Sequence, residues 1–174
     1  SRLIFAYGAT PALCTMVDSK GILHPGRDDI EARKAEYVDK WKLCNITNAD
    51  GRTGSIAEAM EGADVCIALS KPGPDTIQKE WVAKMGKAAI VFLCANPIPE
   101  MWPWDAKAAG AAVVATGRSD FLNQVNNSLG FPGIFRGTLD VRARTITDEM
   151  CIAAAEELAR VAEEKGLSSD YIMP

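Results

Sequence analysis

The apolar positions of this chain gather into short runs separated by longer stretches of mixed character, the pattern of strands alternating with helices. Residues 12–17 form the first strand-like run, which stops at Asp18. A loop containing Gly and Pro spans 21–28, a mostly polar helix 29–44, and a short helix 54–61 closed by Gly62. Residues 64–70 read as the next strand. Lys71 to Pro74 make a loop that opens a helix reaching Met85 and stopping at Gly86. Residues 88–95 are almost wholly apolar, as in a strand buried on both faces. A short helix over 106–109 precedes a strand over 111–116. Alternation of this kind predicts an α/β domain with helices covering a parallel sheet.

The last helix has the clearest ends. Thr147 is placed to cap it, Asp148 and Glu149 suit its positive end, and Lys165 and Gly166 close it. Cys151, Ala154, Ala155, Leu158 and Val161 or Ala162 fall on one face. That small-residue face serves equally to cover the sheet or to meet another subunit.

Length and composition narrow the class. With 174 residues, 48% of them hydrophobic and 24% charged, one domain over 1–174 is expected, and neither a repeat nor a linker divides it. A formal charge of −4 and a pI near 5.1 exclude nucleic acid as a partner, since nothing concentrates enough Lys and Arg to replace phosphate counterions. The longest apolar runs are of strand length and the first residues lack a signal-peptide pattern, so a cytoplasmic protein without a membrane partner is expected. Cys14, Cys44, Cys66, Cys94 and Cys151 are odd in number and widely spaced, which favours buried thiols over disulfides or a metal site. His24, the one histidine, lies beside Pro25 and Gly26 and reads as a loop residue, not a catalytic base.

The densest candidate chemistry follows the strand over 111–116. Here Ala115-Thr116-Gly117-Arg118-Ser119-Asp120-Phe121-Leu122-Asn123-Gln124-Val125-Asn126-Asn127 sets small residues and carboxamides where an apolar stretch stops, and Phe131-Pro132-Gly133-Ile134-Phe135 follows. A parallel strand delivers such residues to the carboxyl edge of its sheet, where ligands bind. Carboxamides suit carbonyl, hydroxyl and carboxylate oxygens and carboxamide rings, and they suit helix caps and solvated loops as well. Together with Val17-Asp18-Ser19-Lys20-Gly21-Ile22-Leu23, Glu61-Gly62-Ala63-Asp64-Val65, Ala95-Asn96-Pro97-Ile98-Pro99-Glu100 and Asp170-Tyr171-Ile172-Met173-Pro174, the segment resembles the NAD-binding domain of malic enzymes, in their shorter prokaryotic form. These blocks extend over nearly the whole chain.

The resemblance implies a Rossmann-like, doubly wound parallel sheet and a set of ligand contacts. Asp18, ending the first strand-like run, would accept hydrogen bonds from the adenosine ribose hydroxyls and repel a 2′-phosphate, which favours NAD over NADP. Lys20 could instead reach a phosphate, and Asp18 also suits an ordinary turn before Gly21. In malic enzymes the residue matching Asn96 lies by the nicotinamide ribose and malate, those matching Asn126 and Asn127 contact substrate and the nicotinamide end, and that matching Ser70 belongs to a loop passing the cofactor. None of these side chains moves a proton at neutral pH, so each would position a ligand.

Other parts of the pattern are missing from this sequence. It contains no Gly-x-Gly-x-x-Gly turn, and residues 1–7 resemble the end of the helix that follows such a turn. In strand order 3-2-1-4-5-6, loss of the first strand leaves its neighbours about 10 Å apart. The tyrosine and lysine of malic enzyme acid and base chemistry, and the acidic residues that bind Mg or Mn, have no match here. The chain is therefore expected to be a partial NAD-binding domain, inactive alone and completed by an upstream part of the enzyme, in a homo-oligomer that turns malate into pyruvate and CO2. The alternatives are a noncatalytic nucleotide-binding or subunit-interaction module, and a dehydrogenase of another 2-hydroxy acid.

Overall fold

Backbone pairing sorts the apolar runs into two separate sheets, one an antiparallel pair and the other a three-stranded parallel ladder. The computed structural model describes residues 1–174. They divide into two units, Ser1–Glu61 and Gly62–Pro174, each holding one of these sheets.

In the first unit, α1 (Arg2–Ala6) ends before Gly8, whose φ of 119° only glycine adopts readily. A 3-10 turn at Pro11–Leu13 leads to β1 (Val17–Asp18), which pairs antiparallel with β2 (Gly21–Ile22). The strand expected over 12–17 is thus a strand only at its end. Its carbonyls at Ala12, Cys14 and Met16 accept from the amides of Ala49, Asn48 and Leu23 at 3.0, 2.8 and 2.8 Å, so its acceptors are satisfied by loops instead of a ladder. The polar helix expected over 29–44 is broken into α2 (Asp28–Glu31) and α3 (Val38–Ile46). Ile30 and Cys44 explain the break: both fill one apolar cluster with Leu23, whereas a straight helix would hold them about 21 Å apart. A short helix, α4 (Ile56–Met60), matches expectation. Ser55 accepts from the Ala57 amide, the Glu58 carboxylate accepts from the Ser55 amide, and Gly62 follows at φ 74°.

The second unit runs β3 (Val65–Ala68), α5 (Lys79–Val82), β4 (Ile90–Leu93), α6 (Pro103–Ala108) and β5 (Val113–Thr116). The three strands are parallel in the order β3-β4-β5, with Ala68 beside Leu93 and Leu93 beside Thr116. This strand-helix alternation is the Rossmann-like α/β arrangement expected. Helix α5 is shorter than the helix expected to run to Met85. The Ile77 amide is given to the Glu100 carbonyl at 3.0 Å and Gln78 is extended, so helical bonding starts only at Lys79. Ala68, Val91, Leu93, Val114 and Ala115 form the sheet's apolar share of the core, with Met101 and Ala106 buried in the same unit.

Two helices follow. The sequence pattern did not reveal α7 (Phe131–Asp140), because Pro132 and Gly133 read as loop residues; Pro132 is tolerated where its missing amide would be unpaired anyway. The expected last helix is α8 (Asp148–Lys165), capped by Thr147 Oγ1 on the Met150 amide and ended by Gly166 at φ 93°. Ala162 is its buried residue, while Ala155, expected on the same face, is exposed. No helix is long and apolar enough to cross a membrane.

Asn123 fastens the end of the chain to β5. Its Nδ2 donates to the carbonyls of Val114 (3.0 Å) and Ser169 (2.8 Å), and its Oδ1 accepts from the Ile172 amide (2.9 Å). With this side chain buried, Asn123→Asp keeps the acceptor but turns a carboxyl oxygen toward two carbonyls. The variant is expected to lose at least about 2 kcal/mol of stability, read by denaturant unfolding, and to raise amide exchange at Ile172.

Candidate functional site

The register of the ladder decides what meets at its carboxyl edge. Since Ala68, Leu93 and Thr116 lie abreast, the chain leaves all three strands at one level and brings Ser70, Asn96 and Gly117 out along the same edge. Asn96 is exposed, and the peptide joining it to Pro97 is cis. Its carboxamide lies over Gly117: a Cβ added there would stand 3.6 Å from Asn96 Nδ2 and 3.8 Å from Oδ1. A Cβ there would make only ordinary van der Waals contact with this amide.

The loop after β5 folds back on the strand that precedes it. Thr116 accepts from the Val125 amide at 2.7 Å and donates its own amide to the Asn123 carbonyl at 3.3 Å. Asn126 is thereby carried to Gly117, whose carbonyl accepts from Asn126 Nδ2 at 3.0 Å. Asn126 Oδ1 accepts from the Ser128 amide at 3.0 Å, capping the 3-10 turn Asn127–Leu129. A carboxamide has two N–H groups and about four hydrogen-bonding directions in all, so Asn126 keeps roughly half of its capacity for a ligand. Asn127 begins the turn with its side chain exposed.

Two residues not singled out from the sequence hold these loops. Glu100, 0% exposed, accepts from the Ser70 amide at 2.8 Å and Ser70 Oγ at 3.3 Å on one carboxyl oxygen, and from the Ala95 amide at 3.0 Å on the other. Arg118 donates to the Pro97 carbonyl at 2.9 Å and pairs through two nitrogens with Asp120. The available signal was an acid between Pro99 and Met101, in a sequence where an acid among apolar neighbours is either exposed or bound by donors. Burial, then Glu100 and Cys94, push the Cys66 thiol up to about 11, and burial raises Cys94 as well, so neither sulfur serves as a nucleophile. All five cysteines are free, and His24 uses Nδ1 to accept from the Gly26 amide within its loop.

In the first unit, Asp18 occupies the β1–β2 hairpin, not the end of a long strand. Arg27 grips its carboxylate with both terminal nitrogens at 3.1 Å, Lys40 Nζ approaches to 3.0 Å and the Lys20 amide to 2.9 Å. Arg27 is itself buried and also pairs with Asp29, which Lys20 reaches at 3.0 Å. Burial works to raise the Asp18 pKa, but the hydrogen bonds from Arg27, Lys40 and the Lys20 amide outweigh it and hold the group at about 2. Arg27 and then Lys20 likewise hold Asp29 far below the usual carboxylate range. The four lone-pair directions of Asp18 are all taken, and Lys40, with 39% of its side chain exposed, is the partner a ligand could most readily displace. No group of three His, Cys, Asp or Glu side chains is arranged to hold a metal ion.

Known proteins share the sequence pattern and the fold. A family model described as "Malic enzyme, NAD binding domain" matches residues 9–174. The crystal structure of Entamoeba histolytica malic enzyme superposes with a TM-score of 0.94 at 55% identity, over 99% of this chain and 35% of that one. The NADP-dependent malic enzyme of Rhizobium meliloti is 47% identical over 94% of the chain and 20% of its own length. The NAD-dependent malic enzyme of Geobacillus stearothermophilus is 46% identical over 91% and 31%. The chain therefore spans between a fifth and about a third of these proteins.

The depressed Asp18 pKa fixes a direction for pH dependence. The ion pair stabilises the fold fully above the ordinary carboxylate pKa of 3.8, and its contribution is lost as pH falls through about 2. Asp18→Asn is expected to lower stability at pH 7 by roughly 2 kcal/mol. The gap between it and the unmodified protein should close between pH 4 and pH 2 in thermal unfolding.

Proposed function

The chain belongs to the malic enzyme family through its NAD-binding domain, and from that premise we propose that it is the cofactor-binding part of an NAD-dependent enzyme converting malate to pyruvate and CO2. The observation that carries this reading is the open carboxamide of Asn96 over Gly117, with Ser70 and Asn126 leaving the same sheet edge. A noncatalytic scaffold has little use for an exposed amide at that edge. The donor set fits a dinucleotide, because uncharged amides and hydroxyls match the ribose hydroxyls and the nicotinamide carboxamide.

When bound, NAD supplies the two-electron oxidant for the carbon bearing the malate hydroxyl. The residues of this chain position that chemistry. Asn96 orients malate and the nicotinamide ribose, Asn126 and Asn127 hold the substrate beside the nicotinamide, and Ser70 shapes the loop along which the cofactor lies. Their contribution is to fix the reacting atoms in line, where a misplacement of 1 Å costs about a hundredfold in rate. On this reading the acid and base groups and the Mg or Mn ligands belong to segments of the relatives that this chain does not span. The assembly is a cytoplasmic homo-oligomer.

Relatives of both cofactor specificities exist, and Asp18 supports NAD here. An ionised carboxylate at the ribose accepts the 2′-hydroxyl once Lys40 moves aside, and repels a phosphate at that place. In the intact protein, Asp18→Ala should weaken NAD binding and improve NADP binding, since Arg27 and Lys40 are then left to receive the extra phosphate. Equal affinity of the unmodified protein for NAD and NADP, by fluorescence titration, would sink the NAD assignment. Asn96→Ala should lower kcat/KM for malate by about a hundredfold without changing the melting temperature. Retained activity would remove Asn96 from the site.

A further inference from the structure

We propose that Glu100 is the positioning residue of this site: one buried carboxyl group sets Ser70 and Asn96 at their working separation by bridging the carboxyl ends of β3 and β4. The proposal rests on the reading of Ser70 and Asn96 as ligand contacts. Glu100 itself is fully buried, out of reach of a ligand at the surface.

The bridge has an unusual composition. A buried acid ordinarily meets a cation, yet no Lys, Arg or His side chain pairs with Glu100. Its side-chain hydrogen bonds go to the segments that follow two neighbouring strands. Oε1 takes the Ser70 amide and hydroxyl, and Oε2 takes the amide of Ala95, the residue immediately before Asn96. Past Ala68 and Leu93 the ladder stops, so the Ser70 and Ala95 amides have no strand partner left. A buried amide without an acceptor costs about 1–3 kcal/mol, which is reason enough to satisfy that of Ala95, while Ser70 is exposed and water could serve its amide. It is not reason to satisfy both from one side chain. Two waters or two separate loops would do so and leave the strand ends free to move apart. A single planar carboxyl group fixes the distance between its two oxygens, and with it the distance between the two donors.

The same residue locks the loop on the other side. Its backbone carbonyl accepts from the Ile77 amide at 3.0 Å, and Ile77 is 1% exposed. The stretch from Ser70 to Ile77 is therefore held at both ends by Glu100, through the side chain at Ser70 and the main chain at Ile77. Glu100 also lies four residues after Asn96, with Pro97 and Pro99 limiting the backbone freedom between them. Any displacement of its carboxyl group reaches Asn96 directly.

Glu100→Gln tests this without changing volume. One oxygen becomes an NH2 group, which meets a backbone N–H whichever way the amide turns, so one of the two strand ends is released. The assay is a double-mutant cycle in the intact protein, with kcat/KM for malate measured in the unmodified protein, Glu100→Gln, Asn96→Ala and the double variant, alongside melting temperatures. Glu100→Gln is expected to lower kcat/KM by about ten- to a hundredfold while remaining folded. In the Asn96→Ala background its effect on kcat/KM should be clearly smaller than in the unmodified protein, because one of the two residues it acts through is already gone and only Ser70 is left to respond. Additive losses, or a Glu100→Gln protein with unaltered kcat/KM, overturn the proposal and leave the assignment of Asn96 standing. No effect of Asn96→Ala overturns both. If Glu100→Gln does not fold, Glu100→Asp takes its place in the cycle, being one methylene too short to reach both strand ends. Failure of both variants to fold makes Glu100 a structural residue and overturns its positioning role.

Discussion

The parallel register of β3, β4 and β5 is the constraint on which the candidate site depends. Parallel pairing leaves every strand pointing the same way, and the alignment of Ala68, Leu93 and Thr116 ends all three at one level. Residues far apart in sequence, from Ser70 to Asn126, are then neighbours because backbone hydrogen bonds put their strands abreast. A shift of one residue in any strand would exchange the side chains on its two faces. In β5, where three consecutive residues are buried, each would then meet a packing site shaped for a different side chain.

Where the ladder ends, its last amides and carbonyls need partners, and the molecule uses side chains from the loops themselves. Glu100 serves the ends of β3 and β4, Asn126 the carbonyl of Gly117, Arg118 that of Pro97, and Asn123 those of Val114 and Ser169. Each such bond is worth only about 1 kcal/mol net. Together they convert an edge that would otherwise be solvated and mobile into a fixed surface. The polar residues of this edge thus fall into those that hold it and those that remain open on it, and sequence alone does not separate the two.

Alternation of apolar runs made the strands of the second unit and the final helix legible, because burial on both faces or along one stripe leaves a periodic trace. Elements set by particular long-range contacts left none. The break between α2 and α3 follows from Ile30 and Cys44 meeting in one cluster, and the late start of α5 from the amide that Ile77 gives to Glu100. The candidate site residues were read in two ways: Ser70 and Asn96 stand at the ends of apolar runs, whereas Asn126 lies within a polar stretch and was named through the resemblance to malic enzymes. The role of Glu100 is visible only once the ends of two strands are side by side, and that of Arg27 only once the hairpin brings Asp18 against it.

Charge and exposure rank the residues as ligand contacts. The amide of Asn96 is open, that of Asn126 is half committed to a cap, and the Asp18 carboxylate is surrounded by donors. A ligand meeting Asn96 need displace only water. One meeting Asp18 must replace an existing partner, and the exchange is favourable only if it returns hydrogen bonds of comparable strength, since a bond to a charged group contributes about 1.5–3 kcal/mol. A pair of ribose hydroxyls can do this by taking the place of exposed Lys40 while buried Arg27 stays. Two basic and two acidic side chains then remain around the sugar, Arg27 and Lys20 against Asp18 and Asp29. On the proposed reading Lys40 tunes the preference that Asp18 sets: swung away it leaves a neutral surround for a hydroxyl, and swung back beside the ribose it becomes a counterion for a phosphate.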